Sequence, residues 1–290
     1  MHLIRYRGPG GPARTGLLDG RRVRPVPGIA TMAELLALPA AEIQGLCAEA
    51  PRQISDEFDP ASLLAPVDGR TEVWAAGVTY ERSMHARVQE SLDSADIYDK
   101  VYTAPRPELF FKSAAWRVAG PGAPVNVRAD SEVDVPEPEL GVLLNAAAEV
   151  VGYTVCNDMS SRSIEGENPL YLPQAKIYLG GCAAGPGIRP AWEVPDPYAL
   201  TIAMTITRRG AVAWSGDAET SGLRRRIAEL AGYLFREDEF PAGVLLSTGT
   251  SLVPDLPFTL QAGDEVRISI SEVGDLVNPV VRGKAALVSR

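Results

Sequence analysis

The alternation in residues 200–208 constrains this chain most. Ile202, Met204 and Ile206 fall on one side, and Thr201, Ala203, Thr205 and Thr207 on the other. A period of two puts successive side chains on opposite faces, as an extended strand with one buried face requires. Residues 265–271 repeat the pattern with Val266, Ile268 and Ile270. The 24 prolines and 27 glycines are enough to cut the chain into short strands joined by turns. A doubly wound sheet needs a helix after nearly every strand, and this chain has too few helical stretches. The expected class is α+β, mainly β.

The first 66 residues read as a small α/β unit, and residues 67–290 as a larger catalytic body. Residues 2–7 alternate as a short strand, and Asp19-Gly20 supplies the turn of a hairpin. Thr31 and Glu34 have capping-box spacing ahead of Leu35 and Leu36, and a second helix is expected over residues 40–50. In the body, a helix is expected over 222–236, with Thr220 and Ser221 as cap candidates. There is no Walker sequence and no G-x-G-x-x-G, and the glycines at 8, 10 and 11 read as a loop.

The net charge is −9, the reverse of a nucleic-acid binder's basic surplus. Arg224-Arg225-Arg226 is followed by Glu229, Glu237 and Glu239 and reads as a solvated helix face. Cys47, Cys156 and Cys182 have no zinc spacing and read as small buried hydrophobes in a reducing cytoplasm. The chain opens on a strand rather than an apolar leader, and no run approaches ~20 apolar residues, so no membrane span is expected.

The chemistry concentrates in Val135-Pro136-Glu137-Pro138-Glu139-Leu140. Residues two apart on a strand share a face, so Glu137 and Glu139 present two carboxylates together. Such a pair needs solvent, a proton or a cation. Residues 150–155 form an apolar strand that delivers Asn157-Asp158 towards the same point. Three carboxylates without His or Cys ligands favour Mg²⁺, then Mn²⁺ or Ca²⁺. Surface glutamates and a turn aspartate are the alternative. Lys176 lies in an apolar setting, Leu172-Pro173-Gln174-Ala175-Lys176-Ile177. Beside a cation its ammonium would be disfavoured, which suits a proton-transfer group. Otherwise it is a lysine snorkelling from a strand end.

At these residues the chain resembles the fumarylacetoacetate hydrolase superfamily, over roughly residues 70–285. The motifs are Gly77-Val78-Thr79-Tyr80, Leu109-Phe110-Phe111-Lys112, Glu137-Pro138-Glu139, Asn157-Asp158-Met159-Ser160-Ser161-Arg162, Lys176 and Ser247-Thr248-Gly249-Thr250. The resemblance implies a rolled mixed β-sandwich behind a smaller N-terminal domain, often dimeric. It implies a Mg²⁺ or Mn²⁺ site at Glu137, Glu139 and Asp158. It places the family's active-site lysine on Lys176, with Arg162 and Thr250 at matching site positions.

The superfamily performs several reactions, so the fold does not choose one. Its C–C hydrolases and decarboxylases commonly carry a His–Glu dyad just after the first motif. Those places here hold Ser83 and Ala86, and the nearby histidine is His85. The string from Asn157 to Lys176, with Glu81-Arg82-Ser83, Asp96-Ile97-Tyr98, Arg106-Pro107-Glu108 and Asn278-Pro279-Val280, is similar to a narrower branch, the 2-keto-3-deoxy-pentonate dehydratases. That likeness implies a 2-keto acid substrate and a metal-assisted dehydration. Lys176 is then expected in proton transfer or oxyanion stabilisation. Glu108 and Glu90 are candidates for the second acid/base, or else surface carboxylates. Arg82, Ser83, Lys112, Arg162 and Thr250 are candidate substrate contacts, with Lys112 an ion-pair partner in the alternative. Residues 81–105 read as a lid over the substrate. Competing readings are a hydrolase or decarboxylase of 2,4-dioxo acids, and a catalytically silent binding protein.

Overall fold

The computed structural model describes residues 1–8, 10–50, 56–81 and 101–288. The sequence-expected Arg82, Ser83 and Glu90, and most of the expected lid, lie outside the described residues.

The described strands form two main sheets. The longer has eleven strands, and its central order runs His2–Arg7, Cys182–Pro190, Val150–Asp158, Pro138–Leu144, Val244–Ser247, Glu72–Gly77, Glu108–Ala114. Val244–Ser247 and Glu72–Gly77 are parallel, and their neighbours are antiparallel, so the sheet is mixed. The second sheet has five strands, ordered Ala211–Glu219, Thr201–Arg208, Glu265–Ile270, Gly274–Arg282, Val125–Val127. The mainly β class read from the sequence matches this architecture.

Alternation sorts the core. Leu140, Val142 and Leu144 face Ile202, Met204, Ile206, Val266 and Ile268 of the second sheet. Leu143, between them, faces the other way and packs with Leu3, Leu17, Met32, Leu35 and Leu36 of the N-terminal region. Every residue of Pro138–Leu144 is therefore buried. Glu139 lies in this strand and Glu137 directly precedes it, so the E-x-E motif is anchored on a strand buried along its whole length.

The N-terminal region has the expected hairpin, Ala13–Asp19 with Arg22–Pro25, and Gly20 takes the left-handed φ of +61° that its turn needs. The Thr31–Glu34 capping box is present in both directions. The second helix runs Ala40–Glu49. Strand His2–Arg7 is hydrogen-bonded into the long sheet through Leu3 and Ile188. Cys47, Cys156 and Cys182 are free and buried, and burial pushes the Cys47 thiol up to about 11 and that of Cys182 to about 12.

Two expectations need correction. The helix runs only Ile227–Leu234, because Thr220 caps a strand instead, accepting from the N–H of Leu200 at 2.9 Å. The three arginines precede this helix rather than forming its face; Arg224 and Arg226 are exposed, and Arg225 is buried. Each side chain meets a different partner. Arg224 stacks 4.4 Å from the Tyr102 ring centre, and Arg226 at the same distance from Tyr198. Arg225 is buried against main-chain carbonyls and Glu229.

Candidate metal centre and active site

Glu137 directly precedes strand Pro138–Leu144, and Glu139 is its second residue. The period of two puts both carboxylates on one face. Strand Val150–Asp158 lies antiparallel beside it, and the N–H of Asp158 donates to the Glu137 carbonyl at 2.9 Å. This brings the Asp158 carboxylate to the pair. Oxygens of Glu137, Glu139 and Asp158 lie within 4.8 Å of one another, and all three residues are buried. The expected triad is thus brought together.

Lys176 ends the short helix Leu172–Lys176 rather than a strand, and is 2% exposed. Its ammonium donates to Glu137 Oε2 (2.7 Å), Asp158 Oδ2 (3.2 Å) and Ser160 Oγ (2.6 Å). Arg162 Nη2 meets Glu137 Oε1 at 3.0 Å. Lys112 is buried, with its ammonium on Asp158 Oδ1 (2.5 Å) and on the carbonyls of Met159 and Lys176. Glu139 accepts from Ser247 Oγ (2.6 Å) and the Gly249 N–H (2.8 Å). Burial, then the Asp158 and Glu137 carboxylates, push the Glu139 carboxyl up to about 8. A buried acid held that high is stabilised by a proton or a cation. The donor set is all oxygen, which fits a hard divalent ion.

Glu108, Phe110, Arg162, Glu165, Lys176 and Thr250 line one cleft with the triad. Glu108 opens its strand opposite Gly77. Its carboxyl lies over the Gly77 α-carbon, where a β-carbon would meet Oε2 at 2.0 Å. Thr250 Oγ1 donates to the Pro138 carbonyl at 2.9 Å, tying its loop to the start of the E-x-E strand. Val78 also lines the cleft, with a left-handed φ of 52°. That is rare for a β-branched residue, and such strain concentrates at functional sites. The neighbouring Thr79 Oγ1 donates to the Thr248 carbonyl at 2.7 Å, which locks the turn to the Ser247–Thr250 loop.

Glu165 was missed by sequence reasoning, though it is buried and lines the cleft. Its signal was its spacing, three residues after Arg162, on a helix that Ser161 caps. Ser160 and Ser247, inside the motifs at residues 157–162 and 247–250, bond to Lys176 and Glu139 respectively.

The fold and the carboxylate–lysine cluster define a class. The chain matches the model described as "Fumarylacetoacetate (FAA) hydrolase C-terminal" over residues 72–281, and it belongs to the fumarylacetoacetate hydrolase family. It is 50% identical over 227 residues to a Haloferax volcanii protein named "Probable 2-keto-3-deoxyxylonate dehydratase", covering 78% of each chain. It is 42% identical over 229 residues to the "2-dehydro-3-deoxy-D-arabinonate dehydratase" of Saccharolobus solfataricus, covering 78% of this chain and 76% of that one. A solved structure of "2-keto-3-deoxy-D-arabinonate dehydratase complexed with magnesium and 2,5-dioxopentanoate" superposes with a TM-score of 0.83. That relative is 35% identical, with 97% of this chain and 99% of that one covered.

Proposed function

We infer that this protein is a magnesium-dependent dehydratase that converts a 2-keto-3-deoxy-pentonate to 2,5-dioxopentanoate. The inference is supported by the two dehydratase relatives and by the solved relative that holds magnesium and 2,5-dioxopentanoate. One observation on this chain carries it: the Lys176 ammonium and the Glu108 carboxyl share a cleft with a buried cluster of three carboxylates.

Glu137, Glu139 and Asp158 would hold the metal; Mn²⁺ has the same preference for oxygen ligands, and Ca²⁺ can substitute. When bound, the metal supplies a Lewis acid for the 2-keto group and acidifies the C3 hydrogens. Glu108 and Lys176, both lining the cleft, are proposed to carry the protons. One takes a C3 proton, and the other protonates the C4 hydroxyl, which leaves as water. Loss of a C5 proton and return of one to C3 then give a C4–C5 enol. Its collapse to the aldehyde moves the enol proton to C4. Arg162 and Thr250 are proposed contacts for the substrate's oxygens, as are Arg82 and Ser83. Glu90 is retained as an alternative acid/base, and Lys112 is proposed to support the cluster through Asp158. Burial of Lys176 against Phe110, 5.8 Å from the ring centre, limits water access to its ammonium.

Among the described residues no helix is long and apolar enough to cross a membrane. We propose a cytoplasmic homodimer or higher homo-oligomer, with no nucleic-acid partner. Light scattering on the purified protein reads the assembly. The reaction is tested by mass spectrometry with Mg²⁺ and both C4 epimers, with acylpyruvates and oxaloacetate as controls. Loss of one water with an aldehyde product is expected. Cleavage of acylpyruvates without dehydration would replace this reading with a C–C hydrolase. Full turnover by Glu139→Gln with unchanged Mg²⁺ dependence would remove the metal assignment.

A further inference from the structure

We propose that Arg225 is a positioning residue that sets the place of Glu108 in the active site. The inference rests on the reading of Glu108 as one of the proton carriers. Arg225 is 8% exposed and has a job that its exposed neighbours do not. Its guanidinium donates to the main-chain carbonyls of Val101, Ala104 and Pro105, and to Glu229 Oε1 at 2.7 Å. A planar fork with several fixed donors can hold several acceptors at once, which an ammonium cannot do with the same geometry. Tyr233 adds a second fastening, donating to the Pro105 carbonyl at 3.1 Å, and Arg106 lies 5.4 Å from the Tyr233 ring centre. The stretch just upstream of Glu108 is therefore pinned to helix Ile227–Leu234.

The same stretch of chain holds the other half of the seat. The N–H of Arg224 donates to the Thr79 carbonyl at 3.0 Å, and a β-carbon on Gly222 would lie 3.4 Å from the Tyr80 ring. Thr79 and Tyr80 follow Gly77, and Gly77 is the residue paired with Glu108. Residues 222–225 thus fix both partners of this pair. The seat has little slack, because the Glu108 carboxyl lies where a Gly77 β-carbon would be. A displacement of about 1 Å at a reacting group can cost about a hundredfold in rate.

The test compares Arg225→Met, Arg225→Lys and Tyr233→Phe with wild type and with Glu108→Gln. Arg225→Met should lower kcat about 10- to 100-fold, with KM and Mg²⁺ affinity within about threefold. Arg225→Lys should not restore kcat fully, and Tyr233→Phe should show a smaller loss of the same kind. The limb of the kcat–pH profile that disappears in Glu108→Gln should move in Arg225→Met. In the Glu108→Gln background, Arg225→Met should have little further effect, because it acts through the missing group. Independent effects of the two substitutions, or an unmoved pH limb, would overturn the proposal. If Arg225→Met does not fold, Tyr233→Phe takes the same comparisons. If wild type dehydrates nothing, the functional reading has failed, and a crystal structure of the variant still decides. Glu108 should have left its seat over Gly77, and an unmoved carboxyl refutes the positioning role.

Discussion

The ammonium of Lys112 joins Asp158 to the backbone of Lys176, contacting Oδ1 of the first and the carbonyl of the second, each at 2.5 Å. The lysine that meets the carboxylates is thus itself held by another buried lysine. Lys112→Met should leave part of a buried anion uncompensated and release the end of helix Leu172–Lys176. Breaking a buried pair on one side costs about 3–5 kcal/mol. Denaturant unfolding should show a loss of that order, and turnover should fall even where the variant remains folded. Unchanged stability would show that Asp158 does not depend on this lysine.

Metal binding should depend on pH through Glu139. The unfolded chain gives up this proton in the ordinary glutamate range, whereas the folded, metal-free chain keeps it up to about 8. Between those values the folded state binds more protons, so metal-free stability should fall as pH rises through the window. Binding a divalent ion there releases the proton, and affinity should tighten by up to about tenfold per pH unit below 8. Calorimetry in buffers of different ionisation enthalpy reads the released proton. A flat affinity between pH 5.5 and 8, taken as about neutral-range conditions, would contradict the raised Glu139.

Gly249→Ala should damage both stability and site. Gly249 has φ +92°, and a β-carbon there would meet Thr79 Oγ1 at 2.0 Å and the Ala76 carbonyl at 2.9 Å. Left-handed strain alone costs about 1–3 kcal/mol. The overlap should push the loop away and weaken the Gly249 N–H bond to Glu139. Thermal unfolding and Mg²⁺ titration together check this: both should worsen.

A core substitution away from the cleft should separate folding from chemistry. Met204 is 1% exposed and faces the inner surface of the long sheet. Met204→Ala should cost about 2–5 kcal/mol. At a temperature where the variant is fully folded, Mg²⁺ affinity should match wild type within about twofold. A larger change would mean that the second sheet tunes the metal centre directly.

Local pattern made the strands and the carboxylate cluster legible. Thr201–Arg208 alternates cleanly, and Glu137 and Glu139 share a face for the same reason. The capping box at Thr31 needs only three residues of separation. What local pattern could not carry was the identity of distant partners. Ser247 reaches Glu139 only because Gly141 and Ser247 are paired across the sheet. Three adjacent arginines look like a charged helix face until each finds a ring or a carbonyl far away in the chain. Glu165 carries no local signal of burial, because its burial depends on where the helix capped by Ser161 packs. Lys176 drew notice through its apolar neighbours, but its three acceptors come from elements that no window around it contains.

The bonds from Ser247 and Gly249 to Glu139 also set an order of events during synthesis. All three clustered carboxylates have been made once Asp158 leaves the ribosome, yet strand Pro138–Leu144 still lacks its partner Val244–Ser247. Contacts this distant in sequence are entropically slow to close. A nascent chain stopped near residue 240 would carry the three carboxylates without the donors that aim Glu139. Metal capture should therefore come late in biogenesis, as a signature of a completed sheet rather than a seed for it.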